Sequence, residues 1–215
     1  MSFSSTIRSR AIPRCAAIML ALAGLFVLPG CWVYSVEPLY EENLGHPDPD
    51  LTFDQTLVGS WLNMDTDNDC LWTLVVAAEQ QVYELTMVPA SNCKGEEKTT
   101  RYEGHLLKLD KHLLLDVAPN SADVCDLCLR RHTFFLISQE NHTLALIPVN
   151  DDWLNAAIAQ KKVTLAHLVD DRGMREVTND VTLTASSRDL KAFVRRYAND
   201  KVAFKPDSAL VFKKK

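Results

Sequence analysis

Cys125-Asp126-Leu127-Cys128, with His132 four residues further on, is the densest group of metal-binding and redox-capable side chains in the chain. A C-x-x-C works as a redox centre when its first thiolate sits at a helix N-terminus. This one falls between two predicted strands, beside Asp123 and Asp126, whose charges disfavour a thiolate. Cys125, Cys128 and His132 have a spacing that suits zinc, with His105 or His112 as a fourth ligand, but closed zinc sites usually draw on two close ligand pairs and the second pair is missing. No G-x-S-x-G elbow and no glycine-rich phosphate loop occurs, and the seven glycines are scattered. These residues therefore point to no enzyme, no metal and no cofactor.

The remaining chemistry lies near the N-terminus. Arg8, Arg10 and Arg14 stand among residues 1–14 without an acidic partner, and Cys15 to Leu28 is apolar or small throughout. That run is shorter than the roughly 20 residues of a membrane-spanning helix, and the three-part order is that of an export signal. Leu28-Pro29-Gly30-Cys31 resembles the bacterial lipobox. The resemblance implies cleavage after residue 30, diacylglycerol on the Cys31 thiol and, commonly, further acylation (palmitate or a similar chain) of the new N-terminus. Each buried CH₂ adds about 0.8 kcal/mol, so two or three chains make a stable membrane anchor. Trp32 stands where an aspartate would favour inner-membrane retention, so the expectation is a cell-envelope protein on the outer membrane, facing the periplasm.

Removing residues 1–30 takes three of the 23 basic residues and none of the 28 acidic ones, leaving 20 against 28, a formal charge near −8. That balance gives no footprint for nucleic acid. In an oxidising compartment, with Cys15 removed and Cys31 acylated, Cys70, Cys93, Cys125 and Cys128 form an even set with three pairings. Cys70 with Cys93 and Cys125 with Cys128 is the preferred one, because the first pair flanks a predicted hairpin and the second is close in sequence.

Residues 31–55 read as the lipidated cysteine and an extended tether, rich in Pro38, Pro47 and Pro49 and in acidic residues. Residues 56–212 read as one β-rich domain, with Lys213-Lys214-Lys215 as a solvated end. Strands are predicted at 57–63, 71–77 and 83–87, at 101–109 and 112–117 about an Asp110-Lys111 turn, and at 133–138 and 143–148. Further strands are expected at 163–169 and 181–184. A short helix at about 151–160, capped by Asp151 or Asp152, and an amphipathic one at about 187–199 complete the set. The second carries an S-x-x-D box at Ser186 and Asp189, with Leu190, Phe193, Val194 and Tyr197 on one face. Strands at this spacing predict a mainly β, α+β protein: an antiparallel meander curled into a barrel, with the late helix packed on it.

Gly59-Ser60-Trp61 at the first strand of the meander is similar to the G-x-W start of lipocalin-type barrels. Leu57 to Trp61, His105 to Asp116, His132-Thr133-Phe134-Phe135-Leu136, Asp152-Trp153-Leu154 and Leu183-Thr184-Ala185 resemble bacterial lipoproteins with a lipocalin-like (calycin-type) domain and no assigned activity. The resemblance implies fold and location and no catalytic residues; Cys125 to Cys128 departs from it. Two function classes follow. One is a non-catalytic envelope interaction or structural protein that meets another envelope protein. The other is a binding module whose cavity, lined by Trp61, Trp72, Tyr83 and Phe135, takes a small apolar ligand such as a lipid.

Overall fold

The computed structural model describes residues 32–42, 45–64, 72–79, 81–90, 99–120, 129–169 and 181–215. Two short strands, β1 (Tyr34–Ser35) and β2 (Leu51–Thr52), precede a meander of β3 (Gly59–Asn63), β4 (Trp72–Glu79), β5 (Val82–Pro89), β6 (Thr100–Leu109), β7 (His112–Pro119), β8 (Thr133–Glu140) and β9 (Thr143–Pro148). After it come α1 (Asp151–Ala159), β10 (His167–Val169), β11 (Val181–Leu183), α2 (Ser187–Tyr197) and β12 (Leu210–Lys214). Neighbours from β3 to β9 pair antiparallel, and β12 enters between β9 and β3. Eight strands thus close into an antiparallel barrel, compatible with a lipocalin-like fold. The expected mainly β architecture with two helices is what the chain adopts.

Alternation decides the interior. Trp61, Leu74, Val76, Tyr83, Leu85, Leu106, Leu115, Phe135, Leu146 and Phe212 point inward and form one core. Gly104 shares that face because a Cβ there would lie 2.9 Å from Leu85 Cδ1 and 3.3 Å from Leu115 Cδ1. Gly59 takes φ 138°, a backbone region that favours glycine, and a Cβ on it would press on Lys214. Two residues on, Trp61 is fully buried and its Nε1–H donates to the Leu57 carbonyl at 2.9 Å.

The opposite faces of β6, β7 and β8 are buried as well. Leu107, Leu109, Leu114, Phe134 and Leu136 carry a second core together with Val33, Leu39, Leu154, Leu183, Leu190, Phe193, Val194 and Phe204. Both helices and a three-stranded sheet in the order β1-β11-β10 cover this outer wall. Asn150, rather than Asp151 or Asp152, caps α1 by accepting from the Trp153 N–H, which leaves the two aspartates in the first turn, where they oppose the helix dipole. Ser186 caps α2 as its S-x-x-D spacing suggests, accepting from the Asp189 N–H and donating to its carboxylate.

Three expectations are corrected. The stretch expected as a tether is part of the body: Val33, Leu39 and Tyr40 are buried, and residues from Trp32 onward form one compact unit. Proline and acidic content mimics a solvated linker because the buried residues, Val33, Ser35, Pro38-Leu39-Tyr40 and Asp48, follow neither a strand nor a helix period. The lysine end is the barrel's closing strand, with Lys213 opposite Leu62 and Lys214 opposite Trp61. In a strand only alternate side chains need be apolar, so the stretch from Leu210 to Lys214 shows too little pattern to read. Between 163 and 169 only His167–Val169 is strand, although Val163 is buried.

Phe212→Ala tests the closure. Phe212 is 1% exposed, so truncation is expected to cost about 3–5 kcal/mol in urea unfolding; a loss under 1 kcal/mol would mean that the barrel holds without a packed eighth strand.

Candidate functional site

Asp116 lies on the outward face of β7, in the middle of the outer wall, and is 1% exposed. Its Oδ1 is 2.6 Å from His132 Nδ1, and its Oδ2 accepts the Leu39 N–H at 2.7 Å. The carboxylate accepts, so the imidazole carries a proton on Nδ1. His132 and Ser35 form an antiparallel bridge, each N–H donating to the other's carbonyl at 2.8 Å. Ser35 is fully buried and its Oγ has no hydrogen-bond partner.

Serine, histidine and aspartate thus meet beneath the segment 32–42, in the residue types of a nucleophilic triad. Their arrangement is that of a lock. Both carboxylate oxygens of Asp116 are engaged, and Ser35 is closed to substrate. Asp116 satisfies the Leu39 N–H and the His132 imidazole, which would otherwise be orphaned between two apolar layers at roughly 1–3 kcal/mol for each unmet group.

Around the lock stands a second layer. The Tyr40 ring lies 4.2 Å from the His105 ring and 6.5 Å from that of His132. Burial first, then the charges of Asp116, Glu42 and Glu103, push the Tyr40 hydroxyl far above its ordinary range, so it stays protonated. His105 Nε2 lies 3.0 Å from Glu103, which also pairs with Arg130 at 3.2 Å. Burial works to raise the Glu103 pKa, but the His105 hydrogen bond and the Arg130 charge outweigh it and hold the group below its ordinary value.

A second polar anchor secures residues 45–52. Asp48, 3% exposed, accepts from Lys191 Nζ of α2 at 2.6 Å and from the N–H groups of Glu41 and Asp50. Lys191 also reaches Asp50 at 2.8 Å, where Arg195 joins at 3.3 Å. Burial opposes the Asp48 charge, but the hydrogen bonds from Lys191, Asp50 and Glu41 win and hold its pKa below 3.8. Burial likewise works against the Lys191 charge, and Asp48 and Asp50 overcome it, holding its pKa above 10.5. Between these two anchors and the start of α2 lies an open groove of about 620 Å³ whose lining includes Glu37, Glu41 and Glu42 and, as the one base among the described residues, Arg188.

The residues expected to line a ligand cavity fill the barrel instead. Trp61, Tyr83 and Phe135 are at most 2% exposed, and Trp72 is half-buried where β4 begins. The space left between Leu57, Leu74, Tyr83, Leu115 and Leu146 is about 10 Å³, on the order of one water centre. Phe53 stacks on Tyr83, whose hydroxyl exchanges hydrogen bonds with the Asp54 backbone, which closes the hairpin end. Trp32 packs edge-on against Phe135 near the other end.

Cys31, Cys70, Cys93, Cys125 and Cys128 lie outside the described residues, as does the cleavage site before Cys31. The strand ends that flank the last four, Asn63, Trp72, Pro89, Thr100, Pro119 and Thr133, all stand at one end of the barrel, with Trp72 paired to Pro89. Of the suggested zinc ligands, His132 is committed to Asp116 and His105 to Glu103; among the described residues no three side chains are grouped to hold a metal. The Asp116 and Asp48 anchors were missed by sequence reading. An aspartate at an outward strand position is ordinarily solvated, and the only local sign was the strongly apolar surroundings Leu113-Leu114-Leu115 and Phe134-Phe135-Leu136.

No protein-family model matches the chain, and no match was found among curated proteins or solved structures.

Two outcomes are expected. Asp116→Ala leaves the Leu39 N–H and His132 without their acceptor, so limited proteolysis should cut residues 37–46 faster while the barrel survives; an unchanged rate would remove Asp116 as the lock. For the second anchor, a depressed carboxyl contributes stability that is lost as pH falls below 3.8, and a raised amine contributes stability that is lost as pH rises above 10.5. Lys191→Met should cost about 3 kcal/mol at neutral pH and flatten the alkaline loss, as read by urea unfolding across pH.

Proposed function

We propose that the chain is a lipid-anchored protein of the bacterial envelope, acylated at Cys31, whose barrel serves as a rigid non-catalytic body for interaction at the membrane. The observation that carries this reading is the packed barrel core: among the described residues the space left between its inward side chains is about 10 Å³, whereas a lipid or other apolar ligand needs a cavity of roughly 300 Å³ or more. The lipobox-like Leu28-Pro29-Gly30-Cys31 supports the anchor. So does the packing of Trp32 and Val33, since a body that begins one residue after the acylated cysteine is held at the bilayer rather than on a spacer. Among the described residues no helix is long and apolar enough to cross a membrane.

The expected result is that the protein fractionates with membranes and that its mature N-terminal peptide carries diacylglycerol on Cys31 by mass spectrometry. Cys31→Ser should release it into the soluble fraction. Retention of Cys31→Ser on membranes, with an unmodified cysteine in the parent, would overturn the anchor. A native mass spectrum showing a stoichiometric small apolar molecule would instead favour a binding module.

A further inference from the structure

We propose that the outward face of the β1-β11-β10 sheet, with Leu129 and Arg131 beside it, rests on the lipid bilayer. The inference depends on the acylation of Cys31 proposed above and adds which side of the molecule the anchor draws down. Cys31 precedes Tyr34 by three residues, so the acyl chains enter the bilayer within roughly 10 Å of that side chain, given at most about 3.6 Å per extended residue. Register then fixes the neighbours. Tyr34 pairs with Thr182, and Thr182 with Leu168, so the three form a row across the sheet.

Alternation decides which way the row points. Ser35 and Leu183, the next pair along, are fully buried against the barrel wall, so Tyr34, Thr182 and Leu168 face away from it. Leu168 is 62% exposed. On the other flank the Ser35–His132 bridge brings Arg131 alongside β1, its guanidinium 4.5 Å from the centre of the Tyr34 ring. Leu129, two residues before Arg131, is 61% exposed.

Scattered exposed leucines mean nothing by themselves. Here Leu168 in the row and Leu129 beside it are two of the five large apolar side chains exposed among the described residues. A tyrosine, aliphatic side chains and an arginine able to snorkel are what the headgroup region accepts. Among the described residues, none of the five side chains Tyr34, Thr182, Leu168, Leu129 and Arg131 is a carboxylate, although the exported chain is strongly acidic, so this part of the face can meet a bilayer without bringing negative charge against it. A covalent lipid a few residues away holds the face at high effective concentration over that one surface.

The test uses the full-length acylated protein in vesicles of phosphatidylcholine and phosphatidylethanolamine, with mass analysis of the N-terminal peptide done first. Amide exchange at Leu129–Arg131 and His167–Val169 is expected to slow on the vesicles, while the hairpin tips at Asp110-Lys111 and Asn141-His142 exchange as before. Cys31→Ser protein mixed with the same vesicles should show no such protection. Leu168→Asp, at a site exposed enough to leave the fold intact by circular dichroism, should remove the protection at Leu129–Arg131. If Cys31 is acylated and this face exchanges freely, or the hairpin tips are protected instead, the placement is wrong and the anchor stands. Protection that appears without vesicles as concentration rises would assign the face to a second copy and overturn the proposal. An unmodified Cys31 would remove the anchor and the placement together.

Discussion

β12 hydrogen-bonds to β9 along one side and to β3 along the other, and the rest of the molecule depends on that double pairing. An eight-stranded sheet left open would present two rows of unsatisfied N–H and C=O groups and a half-covered apolar face. Closure removes both edges and puts Trp61, Tyr83, Phe135 and Phe212 into one dry interior. The strand that does this carries Lys213 and Lys214, and Lys215 follows it. They are accommodated because Lys213 is exposed, Lys214 lays its amine 5.0 Å from the centre of the Trp61 ring while donating to the Thr56 carbonyl, and Lys215 reaches Thr73.

A closed barrel of this size packs its interior and has polar groups to spare on its outside. In this chain one side of the outside is a second core, and that creates the main electrostatic difficulty of the structure. Polar groups of the segment that crosses this wall, in residues 32–42 and 45–52, must be satisfied where packing wholly or partly removes water. Asp116 does so for Leu39 and His132, and Asp48, held by Lys191, does so for Glu41 and Asp50. Such buried ion pairs add little net stability over an apolar packing. Their effect is on position: each accepts from a defined backbone N–H, so the segment can lie on the wall in one register.

The two layers divide the labour. The barrel, filled by aromatic and aliphatic side chains, supplies rigidity; the outer layer brings Trp32 and Tyr34 into contact with the body. Under the proposed acylation of Cys31, this short connection is the consequential feature. A flexible tether would let the barrel sample all orientations, whereas a packed one sets which face meets the surface.

The fold class was legible in the sequence because it rests on period 2. Alternation from Leu71 to Pro148, the Asp110-Lys111 turn and the stripe of α2 each need only local residues to be recognised. Gly59-Ser60-Trp61 likewise marked the start of the barrel, since a buried tryptophan beside a glycine at φ 138° is a local device. The filled interior, the closing strand and the role of Asp116 were not legible. Whether inward aromatics line a cavity or plug it depends on how strands from distant parts of the chain converge, and Leu210 to Lys214 becomes a strand only when β3 and β9 offer it both edges. Asp116 sits at an outward position that sequence assigns to solvent, and only the wall built over it by Val33, Leu39 and α2 makes it buried. Sequence determined what is local, which is periodicity, turns and the Ser186 cap of α2. Tertiary structure decided which faces lose water, because desolvation depends on everything that packs against a residue.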